Sequence, residues 1–231
     1  MLKNALHPLL HLFLPHHCVG CGSDIMSRQQ VLCMHCINRL PVTGFHMHAN
    51  NPVEKIFWGR MAVTAAASYL YFSKDSLLQH IVHALKYKGN KELGLFIGRK
   101  MGELLLHTHR FSDVEVLVPL PLFAARERKR GYNQATVLCE GMAEVLTLPI
   151  FKQVIQRQTS SATQTNKNRI DRWLNMQGKF ELKQPDLITG KHILLVDDVI
   201  TTGATLEACG QELLTAPGTR ISIMTMAYTV K

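Results

Sequence analysis

Apolar residues recur along this chain in two rhythms, and the alternation between them predicts an α/β fold. Near the start, Leu2, Leu6, Leu9, Leu10 and Phe13 fall on one side of a helix over residues 2–13. Residues 41–61 lose any rhythm; Pro41, Gly44, Asn50, Asn51 and Pro52 mark a polar linker. A strand is expected over 62–72, then a helix capped by Ser73 or Asp75 and running to about Lys86. A further helix spans about Lys91 to His107, and a core strand covers Glu115 to Pro119. A long helix is expected from about Tyr132 to Leu146, and a short strand near Phe151 to Ile155. After the polar stretch 156–168 comes a helix carrying Arg169, Arg172 and Trp173. The apolar run at 192–197 suits a strand buried on both faces. A helix from Ala204 to Leu214 and a last strand from Arg220 to Tyr228 complete the pattern. Strands alternating with helices imply a parallel sheet with helices on both faces. The expected organisation is an N-terminal helix and small cysteine-rich element over 1–45, a linker over 46–61, and the larger domain over 62–231.

At 231 residues the chain has room for one such domain and a small appendage. No apolar run reaches membrane-spanning length. Leu6 to Leu14 comes nearest, but His7, Pro8 and His11 interrupt it, and it lacks the basic start and cleavage site of a signal peptide. A soluble cytoplasmic protein without membrane insertion is therefore expected. The net charge of +9 favours polyanionic partners, phosphorylated ligands and nucleic acid alike. Arg126, Arg128, Lys129 and Arg130 lie within five residues, and residues 145–170 hold Lys152, Arg157, Lys167 and Arg169 with no acid. Each cluster also suits a plain solvated face.

The chemistry concentrates at the end of the 192–197 run. Asp197 and Asp198 follow four apolar residues and precede Thr201-Thr202-Gly203-Ala204-Thr205 and a helix. Adjacent carboxylates repel unless a cation or a hydroxyl-rich group lies between them. A ribose diol with a nearby Mg²⁺ satisfies both. Helix N-termini attract anions, and Gly203 lets a phosphate approach the backbone. An ordinary strand, turn and Thr-capped helix has the same outline, although two acids before Thr-Thr-Gly-Ala-Thr is a rarer pattern. The loop lacks the lysine and the spacing of a Walker A sequence. A second strand end carries Leu120, Pro121 and Leu122 ahead of the basic cluster. If both strand ends face one crevice, the second turn is placed to hold a diphosphate with Arg130.

The cysteines add a separate element. Cys18-x2-Cys21 and Cys33-x2-Cys36 match a tetrahedral thiolate site for structural Zn²⁺. Disulfides are disfavoured without a secretion signal. Seven of the twelve histidines lie within residues 1–48, but four thiols already complete a site, which leaves the histidines to the surface. Cys139 and Cys209 stand in helical apolar contexts and read as core thiols.

The segment from Leu194 through Thr205 resembles the 5-phosphoribosyl-1-diphosphate (PRPP) motif of type I phosphoribosyltransferases. That resemblance implies ribose contacts for Asp197 and Asp198, and phosphate contacts for Thr201, Thr202, Gly203, Ala204 and Thr205. Four further features narrow the match: Leu85-Lys86-Tyr87-Lys88-Gly89-Asn90, Arg128 through Ala135, Gln164-Thr165 with Arg169 and Arg172-Trp173-x-Asn175, and the double CxxC. Together they resemble the ComF family, which pairs a zinc finger with a phosphoribosyltransferase domain and is associated with natural transformation. Phe123 stands where members often carry His, Ser161 where a Thr is usual, and the chain has one set of cysteine pairs where some members have two. The resemblance implies a pocket for PRPP with Mg²⁺, and diphosphate release assisted by Arg130 and by Arg157 or Lys167. It leaves the acceptor open. The alternative is a non-catalytic module of the same fold. In that module Lys86, Lys88, Arg128, Lys129 and Arg169 contact single-stranded DNA or another phosphate, and the partner is DNA or a protein of the competence machinery.

Overall fold

The computed structural model describes residues 17–24, 30–74, 76–158 and 180–229. The expected helices over 2–13 and around Arg169, Arg172 and Trp173, and the candidate residue Lys167, lie outside them.

Four strands form the central sheet: β1 (Ala66–Phe72), β2 (Val116–Pro119), β5 (His192–Ile200) and β6 (Arg220–Thr229). Their order is β1-β6-β5-β2, and all pairings are parallel. Parallel strands are covered on both faces, and Val116 to Val118 and Ile193 to Val196 are fully buried without alternation, as their continuous apolar runs predict. Two short antiparallel strands, β3 (Ile155–Arg157) and β4 (Phe180–Leu182), form a separate ribbon.

The direction of winding reverses between β2 and β5. From β2 the chain moves outward, and Ile150 makes a parallel bridge to Leu117 on the far side. From β5 it moves the other way, to β6. Neighbouring strands whose connections leave in opposite directions open a crevice at their carboxyl ends, which is where open α/β sheets bind ligands. The sheet therefore selects one location for a site, the gap above Pro119 and Val196.

After a short helix in the cysteine-rich segment, α1 (Met34–Asn38), the main helices are α3 (Leu77–Tyr87), α4 (Lys91–Leu106), α6 (Gln134–Leu146) and α7 (Ala204–Leu213). Each of the first three main helices has a side-chain cap, from Ser76, Asn90 and Asn133 respectively. Ser76 caps the helix in place of Ser73, which instead accepts a hydrogen bond from the Ser76 hydroxyl through its carbonyl; Asp75 lies outside the described residues. Helices α4 and α6 cross with backbone touching backbone. A Cβ at Gly141 would stand 2.2 Å from the Leu95 carbonyl oxygen, and one at Gly98 would stand 2.3 Å from that of Leu138. Gly141→Ala must push the helices apart across a filled core, at about 1–3 kcal/mol or more. Chemical denaturation should show that loss with an unchanged m-value.

Several stretches differ from expectation; the short strand expected near 151–155 lies at Ile155–Arg157, and β4 was not expected. The polar segment 41–61 carries a 3₁₀ turn, Phe45–Met47, and α2 (Pro52–Phe57), with Phe45, Val53 and Phe57 buried. Asn51 makes this possible by capping α2 through Oδ1 while its Nδ2 donates to the carbonyls of Phe45, His48 and Ala66. His46 is buried as part of the same turn, not a surface residue. The basic cluster forms α5 (Ala124–Arg130), a helix with no buried residue. Finally, β5 does not end at its acids but pairs with β6 as far as Ile200.

At the opposite end of the sheet, His192 is fully buried, with Nδ1 2.9 Å from Asp113 Oδ1 and Nε2 2.9 Å from Ser222 Oγ. The order Asp–His–Ser resembles a nucleophilic triad. Ser222 is itself fully buried, so no substrate reaches its hydroxyl, and the row joins β5 and β6 to the loop before β2.

Candidate functional site

The acids emerge where β2 has stopped. The last β2–β5 pair is Pro119 with Val196, and the Leu120 N–H donates to the Val196 carbonyl at 2.8 Å. Beyond that point β5 has a neighbour only on the β6 side. The freed side is occupied by the 120–122 turn, and between turn and acids lies a polar cavity of about 150 Å³. Its walls carry Leu120, Pro121, Leu122, Asp197, Asp198 and Thr205, with the cations Lys86, Arg126, Arg130 and Arg157. Asn133, Gln134 and Ala135, at the start of α6, complete it. The two strand ends singled out by the sequence thus meet in one crevice.

Within the cavity the charges are partly matched. Lys86 Nζ lies 2.9 Å from Asp198 Oδ2. Asp197 Oδ1 accepts from the Asp198 N–H at 2.8 Å, and Asp198 Oδ1 accepts from the Val199 N–H at 2.7 Å. Burial, and then the adjacent Asp198 charge, push Asp197 well above the usual carboxylate range; Lys86 and Arg157 act in the opposite direction. Two carboxylates with one adjacent ammonium leave room for a further cation or for donors such as a ribose diol. That is the chemistry Mg²⁺ with a sugar phosphate supplies, and the donor set fits it.

The cations are held by specific contacts. Arg157, at the end of β3, lies with its guanidinium carbon 3.9 Å from the Phe123 ring centre and 5.3 Å from that of Phe180. Cation–π contact with two rings holds a guanidinium without using its hydrogen bonds. Among the described residues its buried Nε has no hydrogen-bond partner. Phe123 thus supplies one face of this clamp. Arg130 Nη1 donates to Gln134 Oε1 at 2.7 Å and lies over the Tyr87 ring. Asn133 Nδ2 donates to the Leu120 carbonyl at 2.9 Å, so the α6 cap also holds the turn beside the acids. The Tyr132 hydroxyl donates to the Leu85 carbonyl, which fixes the end of α3 and with it Lys86.

Of the hydroxyl loop, Thr205 lines the cavity, while Thr201, Thr202, Gly203 and Ala204 are not among its walls, and Thr201 and Thr202 are exposed. Gly203 has φ +73 and begins α7, whose first turn is closed by the Glu207 N–H on the Gly203 carbonyl. Lys88, Arg128 and Lys129 are exposed and do not line the cavity; Arg169 lies outside the described residues. Arg126, Asn133 and Gln134 are lining residues to which no role in the site was assigned from the sequence. Arg126 was visible only as one charge among four. Asn133 and Gln134 look like ordinary helix-start residues until the 120–122 turn is seen beside them.

The four cysteines of the paired motifs converge. Their Sγ atoms all lie within 4.8 Å of one another, and Cys21 and Cys33 are 3.7 Å apart. Tetrahedral Zn–S bonds of about 2.3 Å imply sulfur separations of about 3.8 Å, so the cluster is the right size. The Cys33 N–H points at Cys18 Sγ at 3.3 Å. Burial opposes ionisation of Cys18, but the Cys21, Cys33 and Gly20 N–H groups hold its thiol down at about 6. Cys36 is pushed up, by burial and by its three neighbours. Thiolates this crowded require a shared cation, and the set fits structural zinc. The knuckle packs on α3: a Cβ at Gly20 would lie 2.4 Å from Leu77 Cδ1, and His80 Nδ1 stands 3.1 Å from the Gly20 carbonyl oxygen. Among the described residues no helix is long and apolar enough to cross a membrane.

Comparison with known proteins places this geometry in context. Residues 130–229 match the family model described as a phosphoribosyl transferase domain. The DNA utilization protein YhgH of Escherichia coli O157:H7 is 28% identical over 205 residues, 87% of this chain and 86% of that one. Its counterpart in Salmonella typhimurium is 30% identical over 156 residues, 66% of this chain and 68% of that one. Competence protein F of Haemophilus influenzae is 28% identical over 206 residues, covering 85% and 83%.

Proposed function

This chain belongs to the ComF family of DNA-utilisation and competence proteins, and we propose that its crevice binds PRPP, or a closely related phosphoribosyl ligand, together with Mg²⁺. The observation that carries this is the convergence of Asp197, Asp198, Thr205, the 120–122 turn and four cations on one cavity at the switch point of the sheet. Asp197 and Asp198 face the ribose hydroxyls. The 201–205 loop takes the 5′-phosphate at the N-terminus of α7. The backbone of 120–122, with Arg126, Arg130 and Arg157, faces the diphosphate. Mg²⁺ accompanies the ligand and offsets its charge; the carboxylates supply the protein side of its surroundings.

The favoured activity is phosphoribosyl transfer. A nucleophile's lone pair forms a bond at ribose C1 as the C1–O bond breaks, and the electron pair leaves with the diphosphate. The protein's contribution is placement and charge compensation. Arg157 suits the second task because its clamp orders the guanidinium before the ligand arrives. The proposed role is in the uptake or use of DNA, as the relatives' names suggest. One observation favours a second, binding-only reading. Helix α5 buries none of its residues and turns Arg128 and Lys129 to solvent, as an electrostatic contact to a nucleic acid or a protein partner requires.

Diphosphate release from PRPP, screened over amine and nucleobase acceptors, separates the two. Transfer predicts release that disappears in Asp197→Asn. The binding-only reading predicts no release with any acceptor, and salt-sensitive DNA binding that survives Asp197→Asn and fails when Arg128 and Lys129 are both replaced by Ala.

A further inference from the structure

The segment that looked like a linker holds the loop that faces the 5′-phosphate. Gly203 lies against α2: a Cβ there would stand 2.5 Å from Ile56 Cγ2 and 3.2 Å from the Phe57 ring. Just past α2, Arg60 Nη1 donates to the carbonyls of Ile56 and Thr202, each at 3.0 Å. Its Nη2 pairs with the carboxylate of Glu207 in the first turn of α7. Gln211 Nε2 in turn donates to the Arg60 carbonyl at 3.1 Å, and Met61 fills the space beside Gly210. A single guanidinium therefore ties α2, the Thr202 carbonyl and the first turn of α7 together.

These contacts have a chemical consequence. The Thr202 carbonyl accepts from Arg60, which holds that peptide group, and with it the backbone that follows, in one orientation. The pairing also draws the Glu207 charge towards Arg60, so that less of it opposes an anion at the N-terminus of α7. Both effects favour a phosphate at the loop, and neither touches the far end of the crevice, where the 120–122 turn and Arg157 lie.

We propose that Arg60 is a positioning residue for the phosphate loop, which it orders for a sugar 5′-phosphate without contacting the ligand. This rests on 201–205 being the 5′-phosphate site, and it deepens that assignment by naming what holds the loop. A lysine cannot reproduce the role, because one ammonium cannot span two carbonyls and a carboxylate in the fork geometry of a guanidinium.

The test uses the full zinc-loaded chain and two probes that report opposite ends of the crevice, ribose 5-phosphate and inorganic diphosphate, each with Mg²⁺. Arg60→Ala should weaken ribose 5-phosphate binding about tenfold, the order expected for losing a set of fixed hydrogen bonds. Diphosphate affinity should change less than twofold, Arg60→Lys should recover only part of the loss, and Glu207→Gln should show a smaller loss of the same selectivity. An equal loss for both probes would mean a general structural role and would overturn the proposal, as would unchanged ribose 5-phosphate affinity in Arg60→Ala. If the wild-type chain binds diphosphate but no ribose 5-phosphate, the 5′-phosphate assignment fails and the role of Arg60 falls with it. A thermal melt of each variant controls for loss of fold.

Discussion

Asp197→Asn is expected to weaken PRPP binding in the presence of Mg²⁺ roughly ten- to hundredfold while leaving the melting temperature unchanged or raised. The two effects have one cause. Asp197 is held beside Asp198 in a partly buried position, where its charge is disfavoured and its carboxyl lies well above the usual range. Asparagine keeps the oxygen that accepts the Asp198 N–H and removes the like-charge repulsion. The folded state therefore loses nothing essential. The ligand loses a charge-assisted partner, of the kind worth about 1.5–3 kcal/mol. The same shift sets a pH dependence. Protonation removes the charge that the ligand uses, so wild-type affinity falls as pH drops through the raised pKa of Asp197, earlier than an ordinary aspartate near 3.8 would allow. The Asn variant lacks that step. Fluorescence competition for PRPP across pH 5 to 8, with melts at each pH, measures both. A variant that loses stability and affinity together would contradict the assignment of Asp197 to the ligand.

Removing zinc, or replacing Cys33 by Ser, is expected to cost more in stability than any other change considered. Apparent free energies of structural zinc binding in small fingers are on the order of 10 kcal/mol, and most of that is folding energy. The element cannot stand without it, since its own apolar content is limited to residues such as Val31, Leu32 and Leu40. These join the same core as the sheet, so their loss propagates to α3 through Leu77 and His80. Metal analysis should find one zinc per chain. Chelation should expose Cys18, Cys33 and Cys36 to thiol reagents and lower the melting temperature. A fully metal-free chain with an unchanged melt would remove zinc from the account.

Much of the fold was legible because its signals were strong and local. The continuous apolar run before Asp197 identified a buried parallel strand, and the helix expected from about Lys91 begins at that residue. The double CxxC spacing predicted a cluster that the four sulfurs form. Helix α2 was hidden because Pro52, Asn50 and Asn51 dominate the composition there. Its apolar residues Val53, Ile56 and Phe57, at i, i+3 and i+4, were the available signal, with Asn51 as cap and Pro52 at the first helical position. Helix α5 left no periodic signal, because a helix that buries nothing needs no apolar stripe. Strand β4, three residues long, is defined only by its pairing with β3. The acids and the hydroxyl loop of the site could be read from adjacency in sequence. Arg60 and the Phe123–Arg157–Phe180 clamp could not, because their partners lie far away along the chain and only the packed fold brings them together.

Isothermal titration calorimetry of the zinc-loaded chain with PRPP and Mg²⁺ tests the central claim most directly. The account predicts saturable binding at one site per chain, weakened by omission of Mg²⁺ and by Asp197→Asn. No detectable heat over a range of temperatures, from a chain that is folded and carries its zinc, would contradict it.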